Sequence, residues 1–427
     1  MQQVLPQADA VERAGDGLAD LYRARKPWHT LPGPLYHDPG AFEADLDVIF
    51  HKTWIQVALV ADVPEAGDVY AFDIGRTPVL IVRTDDDEVL AFHNVCRHRA
   101  ARLVPNGRSI VGKLVCPYHQ WAYELTGALI DAPHMGQDLD KSLYHLEPVA
   151  IRVIGGLIYM CLSDNPPDDI DAFAQILTPR IAPYDLARAK IAFECDLIEE
   201  GNWKLTMENN RECYHCGANH PELALSFFAV DFGVDPDMLA PHERRELEAH
   251  NARCATQKGE WEACGLVSSA LESDVTAATN YRTERLMIAG NGESQTLDSR
   301  AAVRVPLSPT VAHGTGDTHL WGPTSWNHLM GDHAVVFNAF PIAPNRTLVR
   351  TKWLVNEAAV EGVDYDRDNL IAVWMETNRQ DAALVAMAQA GVQSAGYRPG
   401  PYSRFTEKTL DDFISWYVER MRVHGVW

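Results

Sequence analysis

Cys96 and His98 form a C-x-H pair, and seventeen residues further on Cys116 and His119 form a C-x-x-H pair. Two thiolates and two imidazoles in two short segments suit a [2Fe-2S] cluster in which histidines replace two cysteines on one iron, a change that raises the reduction potential. A Cys2His2 set also suits tetrahedral zinc. Zinc pairs usually group like with like, whereas each pair here joins one cysteine to one histidine, so each loop can serve both irons. The spacing favours an electron store over a structural zinc.

A second set of ligand types follows in Glu212-x-x-His215 and His220. Two imidazoles this close in sequence can grip one ion, and one carboxylate would complete a facial triad that leaves positions on Fe(II) open for dioxygen. Taken alone, the segment reads as well as a zinc site, as a Cys213-x-x-Cys216 thiol pair, or as an ordinary buried helix end.

The elements that must hold these residues fall into three stretches. Residues 1–45 form an N-terminal extension expected to pack on the catalytic domain, helical over Val11 to Ala24 and proline-rich over Pro27 to Pro39. Residues 46–165 carry short β-branched runs at Val69 to Phe72, Pro78 to Val82, Val89 to Phe92, Leu114-Val115 and Ile151 to Leu162. Asp-, Gly- and Pro-bearing turns separate them, the texture of a small antiparallel β domain. The breaker Asp164-Asn165-Pro166-Pro167-Asp168-Asp169 marks a seam. Residues 166–427 mix helical stretches (Ile170 to Leu177, Asn202 to Cys213, Asp366 to Gln389, Leu410 to Arg422) with strand-like runs at Ile191 to Ile198, Ala334 to Ile342 and Thr347 to Val355. The fold class is therefore α+β: a small β domain, then an antiparallel sheet covered by helices.

Bulk properties bound the function. With 37 Lys and Arg against 59 Asp and Glu, the net charge of −22 argues against nucleic acid as a partner. No apolar run is long enough to span a bilayer, and the N-terminus shows no basic stretch followed by an apolar one, so a cytoplasmic protein without membrane contact is expected. The eight cysteines suggest no disulfide framework, and those outside the cluster are expected to be reduced.

The segments Asn94-Val95-Cys96-Arg97-His98-Arg99 and Cys116-Pro117-Tyr118-His119-Gln120-Trp121 resemble the cluster-binding loops of the Rieske oxygenases. The likeness continues through Asn202-Trp203-Lys204, Glu208 to Pro221 and Ser325-Trp326-Asn327-His328. It is to the large (alpha) oxygenase component of Rieske non-haem iron systems, nearest the glycine betaine monooxygenases and stachydrine (proline betaine) demethylases.

That resemblance implies a [2Fe-2S] Rieske cluster on Cys96, His98, Cys116 and His119, and a mononuclear Fe(II) on His215, His220 and Asp381. Asp381 stands in the family-like context Asn378-Arg379-Gln380-Asp381, while Asp364, Asp366 and Asp368 sit in a charged turn. It implies a homotrimer in which Glu212 bridges His215 electronically to a neighbour's His119, with Asn209 beside it among the catalytic residues. The family resembled here usually has aspartate at the position of Glu212; glutamate is known within its quaternary ammonium branch. The implied reaction uses O2 and electrons from NAD(P)H, passed on by a flavin and iron–sulfur reductase, to hydroxylate an N-methyl group of a betaine and release formaldehyde. An aromatic-ring hydroxylating dioxygenase is the alternative. A trimethylammonium head is recognised through aromatic faces, for which Trp321, Trp326 and Tyr281 are candidates.

Overall fold

The computed structural model describes residues 17–427. Of the expected N-terminal helix, residues 11–16 lie outside the described part and residues 17–23 are helical. This extension packs on the C-terminal helix Lys408–Val423 through a 2.8 Å hydrogen bond between the Tyr22 and Tyr417 hydroxyls and an Arg25–Asp411 ion pair.

In the first β region, Val89–His93, Thr77–Arg83, Asp68–Ile74 and Gly107–Ile110 form an antiparallel sheet in that order. Leu114–Val115, Ala122–Tyr123 and Leu129–Asp131 form a second, smaller one. Val69, Leu80, Val82, Phe92 and Trp121 fill the space between them. The run Ile151 to Leu162, expected as one stretch, is two strands, Ala150–Ile154 and Leu157–Cys161. Gly155 and Gly156 separate them at φ values of 57° and 95°, which suit a tight hairpin that the apolar pattern alone conceals.

The catalytic region is built on a seven-stranded antiparallel sheet in the order Lys190–Glu199, Arg346–Val355, Ala334–Ala343, Ser325–Leu329, Asp317–Trp321, Arg282–Leu286, Leu271–Glu272. The strand Ala334–Ala343 is buried over its first eight residues, as a sequence apolar at every position but Asn338 requires. The helix Arg367–Val392 packs against this sheet with Leu370, Val373, Trp374, Thr377, Asp381 and Val385 on its buried face, a spacing of three and four residues.

Two helical expectations need correction. The helix expected to reach Cys213 ends at Asn209, where Asn210 and Arg211 turn the chain and Glu212 and Cys213 are irregular. A helix absent from the sequence reading, Pro241–Ala263, has only His250 and Trp261 buried, so it shows no apolar period to find.

Candidate iron centres and the cavity between their elements

Each half of the first metal set occupies the same kind of turn. The carbonyl of Cys96 accepts from Ala100 N and that of Cys116 from Gln120 N, both at 3.0 Å, while each cysteine N–H donates forward at 2.8 Å to Ala101 or Trp121. Ala100 and Gln120 both take left-handed φ, at 58° and 64°, a local strain shared by the two loops.

Cys96 and Cys116 are unbonded and buried, and the His98 and His119 rings lie 4.6 Å apart. Nδ1 of each histidine is buried without a hydrogen-bond partner, as expected of atoms reserved for a metal. His98 stacks on Trp121 at 4.8 Å, and the Tyr123 hydroxyl lies 3.4 Å from Cys96 Sγ. The donor set and its orphaned nitrogens fit a two-iron cluster. Its cysteine side is buried, and its histidine side adjoins the exposed Tyr118 and Arg99.

The second set is assembled from three elements. Asn202 caps the helix Trp203–Asn209, its side chain accepting from Lys204 N at 3.0 Å. The turn after that helix carries Glu212 and His215, the short helix Cys216–Asn219 leads to His220, and Asp381 projects from Arg367–Val392. Asp381 Oδ1 lies 3.3 Å from His215 Nε2 and 3.0 Å from His220 Nε2. Yet His220 Nε2 and Asp381 Oδ1 are buried without a hydrogen bond, a costly pairing unless an ion sits among them.

The other imidazole nitrogens are spoken for. His215 Nδ1 donates to Glu212 Oε1 at 2.6 Å and His220 Nδ1 to Gln380 Oε1 at 2.7 Å, which leaves both Nε2 atoms facing Asp381. Asn209 Nδ2 lies 3.3 Å from His215 Nε2. Two histidines and one carboxylate fit a facial iron triad.

One expectation fails here. Cys213 and Cys216, expected reduced, are joined in a disulfide, their Cα atoms brought to 4.9 Å by the turn. Cys216 Sγ lies 4.0 Å from His215 Nε2, but as a disulfide sulfur it offers no thiolate to a metal.

A cavity of about 260 Å³ opens from this triad onto the sheet. Trp321 and Trp326 line it, as does Trp374, which sequence reasoning did not single out. Tyr281 does not; it packs on Phe173 with ring centroids 5.2 Å apart. Asp317, His319 and Trp321 alternate on one strand, with His328 paired to His319 and Trp326 to Trp321 on the next, so one sheet face supplies the wall. His319 was also missed, although the alternation Asp317-x-His319-x-Trp321 is the signal that could have found it.

The wall, apolar over most of its surface, also carries ionisable groups. Arg282 sits between Glu272 at 3.2 Å and Glu284 at 2.6 Å, and burial pushes the Asp231 carboxyl up. Arg211, fully buried, donates to Asn280 Oδ1 at 2.6 Å and to the Gly322 carbonyl at 2.7 Å; burial lowers its guanidinium to about 9.

Two cluster-sized turns on a β domain and a facial triad beside a cavity define a two-centre iron oxygenase. Residues 53–151 match the Rieske [2Fe-2S] domain and residues 187–423 the ring hydroxylating alpha subunit (catalytic domain). The chain belongs to this family of Rieske oxygenases. A Rieske cluster and a mononuclear iron are its cofactors, the first a one-electron store and the second the place where dioxygen reacts, with electrons delivered by a separate reductase.

The chain is 41% identical over 415 residues to the glycine betaine monooxygenase oxygenase subunit of Chromohalobacter salexigens, covering 97% of this chain and 90% of that one. It is 40% identical to the Pseudomonas aeruginosa subunit of the same name, covering 97% and 94%. Among solved structures, a quaternary ammonium Rieske monooxygenase bound to L-carnitine superposes with a TM-score of 0.65 at 20% identity, covering 95% and 97%. Naphthalene 1,2-dioxygenase from Rhodococcus sp. superposes with 0.66 at 16%, covering 97% and 99%. The fold is thus common to a quaternary ammonium monooxygenase and a naphthalene dioxygenase and does not choose between them.

Proposed function

We propose that the chain is the oxygenase of an N-demethylating system whose substrate is a small quaternary ammonium betaine, glycine betaine or proline betaine. The observation that carries the reading is the cavity wall, in which three indole rings stand among ionisable groups beside the iron triad. Indole faces attract a cation that has no proton to donate, whereas the ionisable groups among them, Asp231, Arg282 and Glu284, would be costly to bury against an apolar aromatic ring. The identity to glycine betaine monooxygenase subunits supports the same choice.

In this reading Cys96, His98, Cys116 and His119 hold the cluster, and His215, His220 and Asp381 hold the iron, in domains divided at 46–165 and 166–427. One oxygen atom of O2 enters a methyl C–H bond and the other leaves as water, consuming two electrons and two protons. The hydroxymethyl ammonium then loses a proton and breaks its C–N bond, giving formaldehyde and the demethylated amine. The methyl group would lie at the end of the cavity beside the triad, and the sheet wall would hold the remainder of the substrate.

A homotrimer supports the electron path. His98 and His119 are half-buried beside the exposed Tyr118 and Arg99, and Glu212 grips ligand His215, so a neighbour's cluster docked through that edge would face this carboxylate. A flavin and iron–sulfur reductase using NAD(P)H and a cytoplasmic location complete the proposal; among the described residues no helix is long and apolar enough to cross a membrane.

Formaldehyde release, measured with glycine betaine, proline betaine, carnitine and choline and a reducing system, tests the reading. Release from a betaine is expected. A cis-diol from an aromatic ring with no formaldehyde from any of the four amines overturns it.

A further inference from the structure

We infer that His319, oriented by Asp317, reads the carboxylate of the substrate and so sets the preference for a betaine over a quaternary ammonium with an uncharged tail. The inference rests on the betaine reading above and names the subsite it leaves open.

Asp317, 1% exposed, collects three donors on one oxygen: His319 Nε2 at 2.5 Å, Gln295 Nε2 at 2.7 Å and His328 Nδ1 at 2.8 Å. Gln295 is itself fixed by Trp374, whose Nε1 donates to its Oε1 at 2.9 Å. These contacts settle which nitrogen is left over on the inner ring. His319 is 5% exposed, lines the cavity, and its Nδ1 has no partner. A buried polar atom left open beside a cavity calls for a ligand that supplies the missing bond.

The charge pattern says which ligand. Burial opposes ionisation of Asp317, but the two imidazoles outweigh it and hold this carboxyl below the usual range. Burial lowers His328 to about 4, and His319 is the ring set between this carboxylate and the cavity. With Nε2 turned to Asp317, Nδ1 is the nitrogen of His319 left to meet an anion in the cavity. The acids facing this end are already engaged: Glu284, paired with His319 across the strands, accepts from Arg282 at 2.6 Å, and Asp231 accepts from Phe228 N at 2.9 Å.

The placement suits a molecule with an ammonium at one end and a carboxylate at the other. His328 rests on Trp374 at 4.3 Å between centroids, and Trp374 precedes Asp381 by two turns on the same helix face, about 10 Å along the axis. A methyl group directed at the triad would leave the carboxylate near the His319 end, with indole rings alongside the ammonium. Arg211 also has unpartnered nitrogens, but its guanidinium lies over Phe413 at 4.2 Å, against the C-terminal helix.

The test compares holoenzyme of wild type, His319→Phe, Asp317→Asn and Arg211→Gln in glycine betaine turnover and in inhibition by choline, which keeps the trimethylammonium head but ends in a hydroxyl. Iron content and the cluster spectrum confirm that each variant is loaded. His319→Phe is expected to raise KM for glycine betaine about 30-fold or more, with kcat within about threefold and choline inhibition nearly unchanged. Asp317→Asn should act in the same direction by about fivefold or more, and serves if His319→Phe does not fold.

An unaltered KM, an equal weakening of betaine and choline, or a loss of discrimination in Arg211→Gln alone overturns the assignment. Wild-type enzyme that releases no formaldehyde from any betaine overturns the betaine reading itself, a result distinct from these.

Discussion

Asp381 shows how one side chain can be decided by its surroundings. An aspartate on a long helix is most often solvated, yet this one is 6% exposed on the face that packs inward and meets two imidazole nitrogens. Asp381→Ala should therefore lose mononuclear iron by metal analysis while the cluster keeps its EPR signal; retention of that iron would remove Asp381 from the ligand set. Glu208 carries a second prediction. Tyr36 donates to it at 2.8 Å and Tyr402 at 3.3 Å, but burial still pushes its carboxyl from 4.5 to about 7. The folded chain keeps this proton up to about 7 while the unfolded chain gives it up near 4.5, so Glu208 makes stability fall as pH rises between those values, by at most about 3 kcal/mol. In melting curves at pH 5 and pH 7.5, Glu208→Gln should gain on wild type at the higher pH. An equal difference at both values would contradict this.

At the scale of elements, the triad depends on how closely the helix Arg367–Val392 approaches the segment leading into Trp203–Asn209. Gly201 makes that approach possible, because a β-carbon there would strike Cγ1 of the buried Val385, one turn beyond Asp381. Gly201→Ala should cost about 1–3 kcal/mol by thermal melting and loosen iron retention. An unchanged melting point would show that the helix can slide without cost. The sheet contributes by alternation: four side chains of two strands reach the cavity because their register pairs His319 with His328 and Trp321 with Trp326.

At the scale of the whole molecule, buried charges tie distant segments together. Asp45 accepts from Trp203 Nε1 at 2.9 Å and from the Tyr417 hydroxyl at 2.7 Å, and it pairs with Lys204, which is fully buried. Asp45→Ala strands that ammonium and should destabilise the fold by about 3–5 kcal/mol, read as a loss of melting temperature. Lys352 on the catalytic sheet reaches both oxygens of Asp62 at 2.7 Å, joining the sheet to the cluster region. The proposed trimer gives Glu212 its meaning at this scale. Glu212→Ala should retain both metals and the native mass by light scattering while the reduced cluster no longer supports product formation; turnover at the native rate would end the bridging role.

The spacing of the cluster pairs, the α+β class and three strands of the catalytic sheet, Lys190–Glu199, Ala334–Ala343 and Arg346–Val355, could be read from the sequence, because short-range spacing and apolar periodicity are local properties, whereas the assignment of His215 and His220 rested on the resemblance. The resemblance pointed to Asp381, but only packing shows that its helix turns that residue inward. The hairpin at Gly155-Gly156, the Cys213–Cys216 bond and the polar helix Pro241–Ala263 had no such periodic signal. The wall of the cavity is tertiary throughout. His319, Trp326 and Trp374 come from separate elements, and their approach is set by strand register and by a helix packed across the sheet, neither of which is written in any one segment.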